Sequence, residues 1–114
     1  MPQLNINFAV YQRAAVATAA STATDPLNLA VLALGVAGEA GEVADLIKKH
    51  VGHGHPLDVP KVSKELGDVL WYVAVLAYTL ELDLAQIAVE NIEKLVHRYP
   101  AGFDPARSLN RDSA

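Results

Sequence analysis

The chain has 114 residues, of which 52% are hydrophobic and 6% aromatic, with a formal net charge of -4 and no cysteine. This length fits a single domain, which we take as residues 1–114, and the composition favours packed helices over a β-sandwich. A net acidic chain without a Lys/Arg cluster argues against binding to a nucleic-acid polymer. The absence of cysteine excludes disulfides, zinc knuckles and thiol catalysis, and it is compatible with the cytoplasmic location that we expect.

The first residues, M-P-Q-L-N-I-N-F, lack the basic start and the continuous apolar stretch of a signal peptide, so we expect none. Two apolar runs, 27–38 and 69–80, each have twelve residues. A bilayer requires about 20 residues, so both runs are too short to cross one. We therefore predict no contact with a membrane and interpret the two runs as buried core helices.

Helix-start and helix-stop signals predict the first two helices. We expect the first from Leu4 to Ala20, because positions 4, 8, 11 and 15 place apolar residues on one face. The second begins at Asp25, which can act as the N-cap, followed by Pro26, which suits the first helical position. It continues to about His50, and its last turn carries cations that favour the negative end of the helix dipole.

The segment 51–57 contains two glycines and a proline, so we predict an irregular loop there. A third helix begins at 58–60 and runs to about Glu81. Asp83 and Gln86 have the spacing of a capping box, which opens a fourth helix that ends at Pro100. The expected fold is an all-α, four-helix bundle over 1–100 with an extended tail over 101–114.

The predicted second and third helices are apolar on every face over 29–38 and 69–80. A helix that is hydrophobic all round must be covered all round. Four short helices of one chain cannot easily provide that cover. We therefore expect a homodimer or a homotetramer, with these two helices at its centre.

Four acidic residues stand in two pairs on successive helices, Glu39 with Glu42 and Glu65 with Asp68. Residues three apart share a helix face, so each pair directs two carboxylates the same way, beside an apolar stripe. Four facing carboxylates would repel one another unless a divalent cation lay between them. All-oxygen ligands favour Mg²⁺, Mn²⁺ or Ca²⁺. The competing interpretations are two solvated acidic patches, and a di-iron site, which would need Glu-x-x-His pairs that the chain lacks.

Other side chains are candidates for binding a substrate. Asn91, Lys94 and Arg98 share one face of the fourth helix and could bind phosphates, or they form an ordinary solvated face. Tyr72 follows Asp68 by one turn and could stack on a base, although core packing is commoner for such a residue. Lys49 could reach phosphates or only favour the helix dipole.

Two further groups have weaker assignments. His53 and His55 could suggest a second metal site, but a mobile loop or a contact between subunits is an equal alternative. Asp45 could extend the stripe of carboxylates or pair with Lys48 or Lys49 at helical spacing. The tail residues Arg107, Asn110 and Arg111 could fold over a neighbouring subunit.

The segments G-E-A-G-E-V-A-D at 38–45 and K-E-L-G-D-V-L-W-Y at 64–72 resemble the all-α nucleoside-triphosphate pyrophosphohydrolases of the MazG type. The motif of that family is E-x-x-E, a spacer, and then E-x-x-D. The similarity also includes Tyr11-Gln12 in the first helix, and 91–94 and 98–100 in the fourth. It therefore covers nearly the whole chain.

This resemblance implies Mg²⁺-dependent cleavage of the α–β phosphate bond of a (deoxy)nucleoside triphosphate, with Mn²⁺ as a possible substitute. It implies that Glu39, Glu42, Glu65 and Asp68 hold the metal. It also implies that one glutamate acts as the base towards the attacking water, and our candidates for that role are Glu39 and Glu42. It favours substrate contacts by Asn91 and Lys94 and a homodimeric or tetrameric assembly. The expected role is removal of unwanted nucleotides.

Three alternatives remain open at the level of sequence. The substrate could be dUTP or phosphoribosyl-ATP, as in the same superfamily. The chain could be a non-catalytic helical interaction module, or it could hold Ca²⁺ or Mg²⁺ without turnover. The sequence does not fix the nucleobase or the sugar of the substrate. Nor does it fix the number of metal ions or the choice between dimer and tetramer.

Overall fold

A computed structural model describes residues 5–111, which form five helices and no β-strand. The all-helical fold predicted above is therefore confirmed. One isolated bridge pairs Pro100 with Gly102. The helices are α1 (Phe8–Ala17), α2 (Pro26–His53), α3 (Val59–Thr79), α4 (Leu84–Arg98) and α5 (Pro105–Leu109).

Aspartate side chains cap the three long helices. The Asp25 carboxylate accepts a hydrogen bond from the Asn28 amide at 3.0 Å, and Pro26 is the first residue of α2, as predicted. Asp58 and Asp83 cap α3 and α4 in the same way. The second half of the predicted capping box is wrong, because the Gln86 side chain donates to Glu90 at 3.2 Å instead of returning to Asp83.

The first two helices differ in length from the prediction. The helix α1 begins at Phe8 because Asn7 acts as its N-cap, accepting from the Val10 amide at 2.9 Å. It ends at Ala17, and the predicted start at Leu4 lies outside the described residues. The helix α2 extends to His53, so the loop is shorter than expected. It stops there because Gly54 adopts a left-handed conformation (φ 71°) that a side chain would disfavour.

The end of the chain also departs from the prediction. The helix α3 ends at Thr79, two residues early. The segment expected to be an extended tail contains α5, which Asp104 caps and Pro105 begins. The Arg107 Nε atom donates to the carbonyl of Arg98 at 2.6 Å and so ties α5 to the end of α4.

The helices α2 and α3 form an antiparallel pair, and α1 packs against α3 and α4. The path of the chain bends by 106° between α3 and α4. The core lies where α1, α2, α3 and α4 meet, and its buried residues are Ala15, Leu32, Ala74, Val75 and Leu84. Within the described residues, no single helix is long and apolar enough to cross a membrane, and only α3 and α4 together meet that composition.

Candidate metal centre

Three carboxylates from two helices meet at the contact between α2 and α3. One oxygen from each of Glu39, Glu65 and Asp68 lies within 4.8 Å of the others. Glu39 and Glu65 are partly buried, whereas Asp68 is exposed. The sequence prediction that the two acidic pairs face one another is therefore met by three of the four residues.

A close helix crossing positions these carboxylates. The ring of Tyr72 lies against Gly35, so closely that a methyl group on Gly35 would overlap it. Glu39 stands one turn after Gly35 on α2, and Asp68 stands one turn before Tyr72 on α3. Because the helices run antiparallel, the step from Gly35 to Glu39 and the step from Tyr72 to Asp68 go in the same direction. The acids of both helices therefore lie on the same side of the crossing.

The three carboxylates interact strongly. The pKa of Glu39 is raised above its ordinary value, chiefly by a hydrogen bond between its carboxyl and that of Glu65. Partial removal of water and the negative charges of Asp68, Glu65 and Glu42 raise the pKa further. A proton thus reduces the repulsion in this cluster, and a divalent cation would do the same more effectively.

The chemistry of the donor set fits a hard divalent cation. All the donor atoms are carboxylate oxygens, and within residues 5–111 neither histidine nor any other nitrogen belongs to the group. Oxygen ligands suit Mg²⁺, Mn²⁺ or Ca²⁺, whereas zinc and copper prefer nitrogen or sulfur. Exposure of Asp68 leaves one side of the cluster open to a ligand.

Glu42 lies outside this group of three and is exposed. It is still near enough for its charge to raise the pKa of Glu39 and that of Lys49. Glu42 therefore borders the cluster on the side that leads towards the end of α2.

The helix α1 brings Tyr11 towards the cluster. The pKa of Tyr11 is raised, first by burial and then by the negative charge of Asp68. The sequence offered no signal for this proximity beyond the family resemblance, because it depends on how α1 packs on α3. The adjacent Gln12 is buried and faces the core instead.

Gln12 joins three helices through its side-chain amide. The amide nitrogen donates to the carbonyls of Ala74 at 3.2 Å and Leu82 at 3.0 Å, and its oxygen accepts from the amide of Leu84 at 3.1 Å. Gln12 therefore holds α1 to the junction of α3 and α4.

The two aromatic residues of α3 have defined packing partners. Besides lying on Gly35, Tyr72 packs edge-to-face with Trp71, with ring centroids 4.9 Å apart. The Trp71 indole nitrogen donates to the Thr18 hydroxyl at 2.8 Å, so Trp71 ties α3 to the end of α1. Tyr72 is partly buried beside the acids.

Asp45 forms ion pairs with two lysines of its own helix. Its carboxylate lies 2.7 Å from the Lys49 ammonium and 3.3 Å from that of Lys48. Lys49 is the main cause of a lowered pKa at Asp45, and the same pair raises the pKa of Lys49. The interpretation that Asp45 pairs with these lysines is confirmed, and Lys49 stays charged.

The three polar residues expected to share one face of α4 differ in their exposure to solvent. Asn91 and Lys94 are exposed. Arg98 is partly buried, its guanidinium is 5.9 Å from the centroid of the Tyr99 ring, and its Nε has no hydrogen-bond partner among the described residues. The helix α4 packs mainly against α1. Within residues 5–111, none of these three side chains forms an ion pair with the acids of the cluster.

The histidines after Lys49 shape the turn between α2 and α3. The carbonyl of His55 lies 2.7 Å from Nδ1 of His50, and the rings of His53 and His55 are 6.0 Å apart. The His55 amide donates to the carbonyl of Lys49 at 3.1 Å. Within the described residues, no carboxylate joins these histidines in a metal-ligating group.

Comparison with known proteins supports the same interpretation. Residues 28–103 match the family described as the MazG nucleotide pyrophosphohydrolase domain. The chain is also 34% identical over 88 residues to the Gene 37 protein of Mycobacterium phage L5, which covers 74% of this chain and 77% of that protein. No solved structure matches the chain. The matched region includes all of the acidic cluster, as the sequence resemblance predicted, and the chain belongs to the MazG nucleotide pyrophosphohydrolase domain family.

Proposed function

We propose that this chain hydrolyses (deoxy)nucleoside triphosphates to a nucleoside monophosphate and pyrophosphate, with Mg²⁺ as its cofactor. The observation that carries the proposal is the convergence of Glu39, Glu65 and Asp68 within 4.8 Å. The family, which is one of nucleotide pyrophosphohydrolases, supports this class of reaction. In the cell, the reaction would remove unwanted nucleotides from the cytoplasm.

The carboxylates of Glu39, Glu65 and Asp68, with Glu42 at their border, would hold the metal. Bound Mg²⁺ would offset the charge of the substrate phosphates and favour ionisation of a nearby water. Glu39 or Glu42 would take the proton from the water that attacks the α-phosphorus. The bond between that phosphorus and the bridging oxygen then breaks, and pyrophosphate leaves with that oxygen.

We assign the remaining predicted residues to substrate binding. Tyr72 stands one turn from Asp68 and is partly buried, so the part of its ring that Gly35 does not cover would contact the sugar or base. Asn91, Lys94 and Arg98 would bind phosphate oxygens. Because α4 turns away from α2, we propose that these residues serve the acidic cluster of a second subunit.

The surface of the single chain supports assembly into a homodimer or tetramer. Leu27 and Leu34 on α2 are 76% and 70% exposed, and Ile92 on α4 is 61% exposed. The radius of gyration is 17.1 Å, whereas a compact chain of this length has about 13 Å. The apolar surface of α2 therefore lacks the cover that a second copy would provide.

The experiment is a pyrophosphate-release assay over all ribo- and deoxyribonucleoside triphosphates, with Mg²⁺ and then Mn²⁺. We expect turnover by the wild type and a loss of at least about 100-fold in Glu65→Gln and Asp68→Asn, since each removes one ligand charge. The control is Glu90→Gln, which changes an exposed carboxylate on α4 that accepts a hydrogen bond from the Gln86 side chain. Equal activity in all four proteins would contradict the proposed site.

The same assay, extended to phosphoribosyl-ATP and combined with thermal unfolding with and without metal, separates the alternatives. Turnover of dUTP alone, or of phosphoribosyl-ATP alone, would identify a specialised member of the superfamily. Stabilisation by metal without turnover of any triphosphate would indicate a structural or storage site. The absence of both effects would indicate a non-catalytic interaction module.

A further inference from the structure

Three of the four histidines of this chain stand at the turn between α2 and α3. They are His50, His53 and His55, in the segment H-V-G-H-G-H, and the fourth, His97, lies on α4. All three are exposed to solvent. The proposed hydrolysis uses none of them, so that reaction does not explain their concentration.

The backbone at Gly54 brings the last two of these histidines together. Its left-handed conformation (φ 71°) ends α2, and the His55 amide then donates to the carbonyl of Lys49 at 3.1 Å. The chain thus folds back over the last turn of α2. As a result, the ring centroids of His53 and His55 are 6.0 Å apart, with the ring planes at 65°.

This separation allows both rings to bind one metal ion. A zinc ion lies about 2.0–2.1 Å from an imidazole nitrogen, and hence about 3.2 Å from the centroid of that ring. Two rings on one ion therefore have centroids at most about 6.4 Å apart, and about 5.2 Å apart at a tetrahedral angle. The observed 6.0 Å lies within that limit. Rotation of the two exposed side chains between staggered conformations supplies the remaining closure.

His50 holds the turn in this arrangement. Its Nδ1 atom lies 2.7 Å from the carbonyl oxygen of His55. Since a carbonyl only accepts, that nitrogen carries the hydrogen and donates it. The hydrogen bond fixes the backbone of His55 relative to α2. The fold itself therefore keeps His53 and His55 close together before any metal binds.

The donor atoms of this pair differ from those of the acidic cluster. Within residues 5–111, Glu39, Glu65 and Asp68 are the one group in which three metal-ligating side chains meet. The histidine pair therefore supplies two protein ligands, and water completes the coordination. Imidazole nitrogen suits Zn²⁺, Cu²⁺ and Ni²⁺, whereas Mg²⁺ prefers oxygen. The pair and the cluster thus select different classes of metal.

The charges beside the pair do not exclude a cation. His55 lines a cavity of about 420 Å³ between the end of α2 and the start of α3, together with Lys49, Asp58 and Lys61. The ammonium of Lys49 is paired with the carboxylate of Asp45 at 2.7 Å. Two lysines and two aspartates therefore surround His55, and their formal charges cancel.

We infer that His53 and His55 form a second metal site, which binds a divalent transition-metal ion of the class of Zn²⁺. The bound ion joins the last residue of α2 to the residue that follows Gly54, so it stabilises the turn that leads into α3. The inference is independent of the proposed function, because neither histidine belongs to the acidic cluster.

The test measures binding of Zn²⁺ to the full chain by titration calorimetry, with Mg²⁺ in excess to occupy the acidic cluster. We expect one Zn²⁺ per chain in the wild type and in Asp68→Asn. His53→Gln and His55→Gln should each weaken this binding by about tenfold or more, since each removes one of two protein ligands. The matched control is His97→Gln, which removes an exposed histidine of α4 and should change the affinity by less than about twofold.

Nuclear magnetic resonance of the imidazole rings supplies the second measurement, because it identifies the ligands directly. Zn²⁺ should shift the ring signals of His53 and His55 and leave those of His97 unchanged. Mg²⁺ at the same concentration should shift none of them, since it prefers oxygen ligands. Circular dichroism checks that each variant is folded.

Several results would overturn the inference. One is the absence of Zn²⁺ binding when Mg²⁺ is in excess, and another is equal affinity in the wild type, His53→Gln and His55→Gln. Loss of binding in Asp68→Asn would place the zinc ion at the acidic cluster instead. One ion per two chains would show that zinc bridges two copies and does not join two histidines of one turn.

Discussion

The ring of Tyr72 on α3 lies directly against Gly35 on α2, where the two helices cross. A Cβ at position 35 would overlap three atoms of that ring, so either the ring or the helices would have to shift. Since Glu39 and Asp68 each stand one turn from this crossing, the same contact sets the geometry of the acidic cluster.

Replacing Gly35 with alanine should therefore destabilise the protein. Alanine favours a helix by about 1 kcal/mol over glycine, but overpacking a close contact costs about 1–3 kcal/mol. We expect a net loss of stability in urea unfolding. The control is Gly41→Ala, since a methyl group there would meet no atom of another helix within 4 Å, and it should gain up to about 1 kcal/mol. Equal gains at both positions would show that the crossing tolerates a methyl group.

A second prediction concerns Gln12. Substitution by leucine should cost about 1–3 kcal/mol, because the buried amide of Leu84 loses its acceptor. Gln86→Leu is the matched control, since that glutamine is exposed and its side chain donates to the exposed Glu90, and it should change stability by less than about 0.5 kcal/mol. Chemical unfolding of both variants at one protein concentration measures the difference. If Gln12→Leu left the stability unchanged, another group would have to accept the hydrogen bond from the Leu84 amide.

A third prediction follows from the raised pKa of Glu39. In EDTA, the folded chain binds the Glu39 proton more tightly than the unfolded chain does, chiefly through the hydrogen bond with Glu65. This group therefore adds stability below its unfolded pKa, and that stability is lost as the pH rises through the folded pKa. The stability of the wild type minus that of Glu39→Gln should accordingly fall between acidic and neutral pH. A difference that rises with pH would contradict the direction of the shift.

A divalent cation should offset the repulsion between the clustered carboxylates at neutral pH. A cation that binds only the folded chain, at about 100 times its dissociation constant, stabilises it by about 2.7 kcal/mol. We expect Mg²⁺ and Mn²⁺ to raise the Tm of the wild type and of Glu90→Gln, and to leave that of Asp68→Asn nearly unchanged. Differential scanning fluorimetry with and without EDTA provides the measurement. An equal shift in Asp68→Asn would place the metal elsewhere.

The proposed assembly predicts the behaviour of Leu34→Glu. If the chain were a monomer, this exposed position would accept glutamate with a change of less than about 0.5 kcal/mol. In a dimer, the charge would be buried against the partner and should dissociate the subunits. Sedimentation velocity of Leu34→Glu and of Ser63→Glu, a charge added at an exposed polar position of α3, separates the cases. A monomeric wild type would overturn the assembly.

The helix boundaries show where sequence patterns are informative. Asp25 and Asp58 mark helix starts correctly, because capping is a local interaction between a side chain and amides three residues later. The ends were less well predicted. Gly54 rather than His50 decides where α2 stops, and Asn7 displaces the start of α1. Both boundaries are set by local caps, a side chain that accepts from a helix amide at Asn7 and a left-handed glycine at Gly54.

By itself, the sequence determined that the chain is helical, that it belongs to its family and that each acidic pair shares one helix face. The helices and the shared face of each acidic pair depend on residues three or four apart, so helical periodicity is sufficient to predict them. The family follows from the resemblance of the segments 38–45 and 64–72. The tertiary structure decided that Glu39, and not Glu42, joins Glu65 and Asp68. That choice depends on the register of α2 on α3, in which Gly35 lies against Tyr72. The packing of helices likewise brought Lys49 and Lys61 into one cavity, because residues on separate helices meet only when those helices dock.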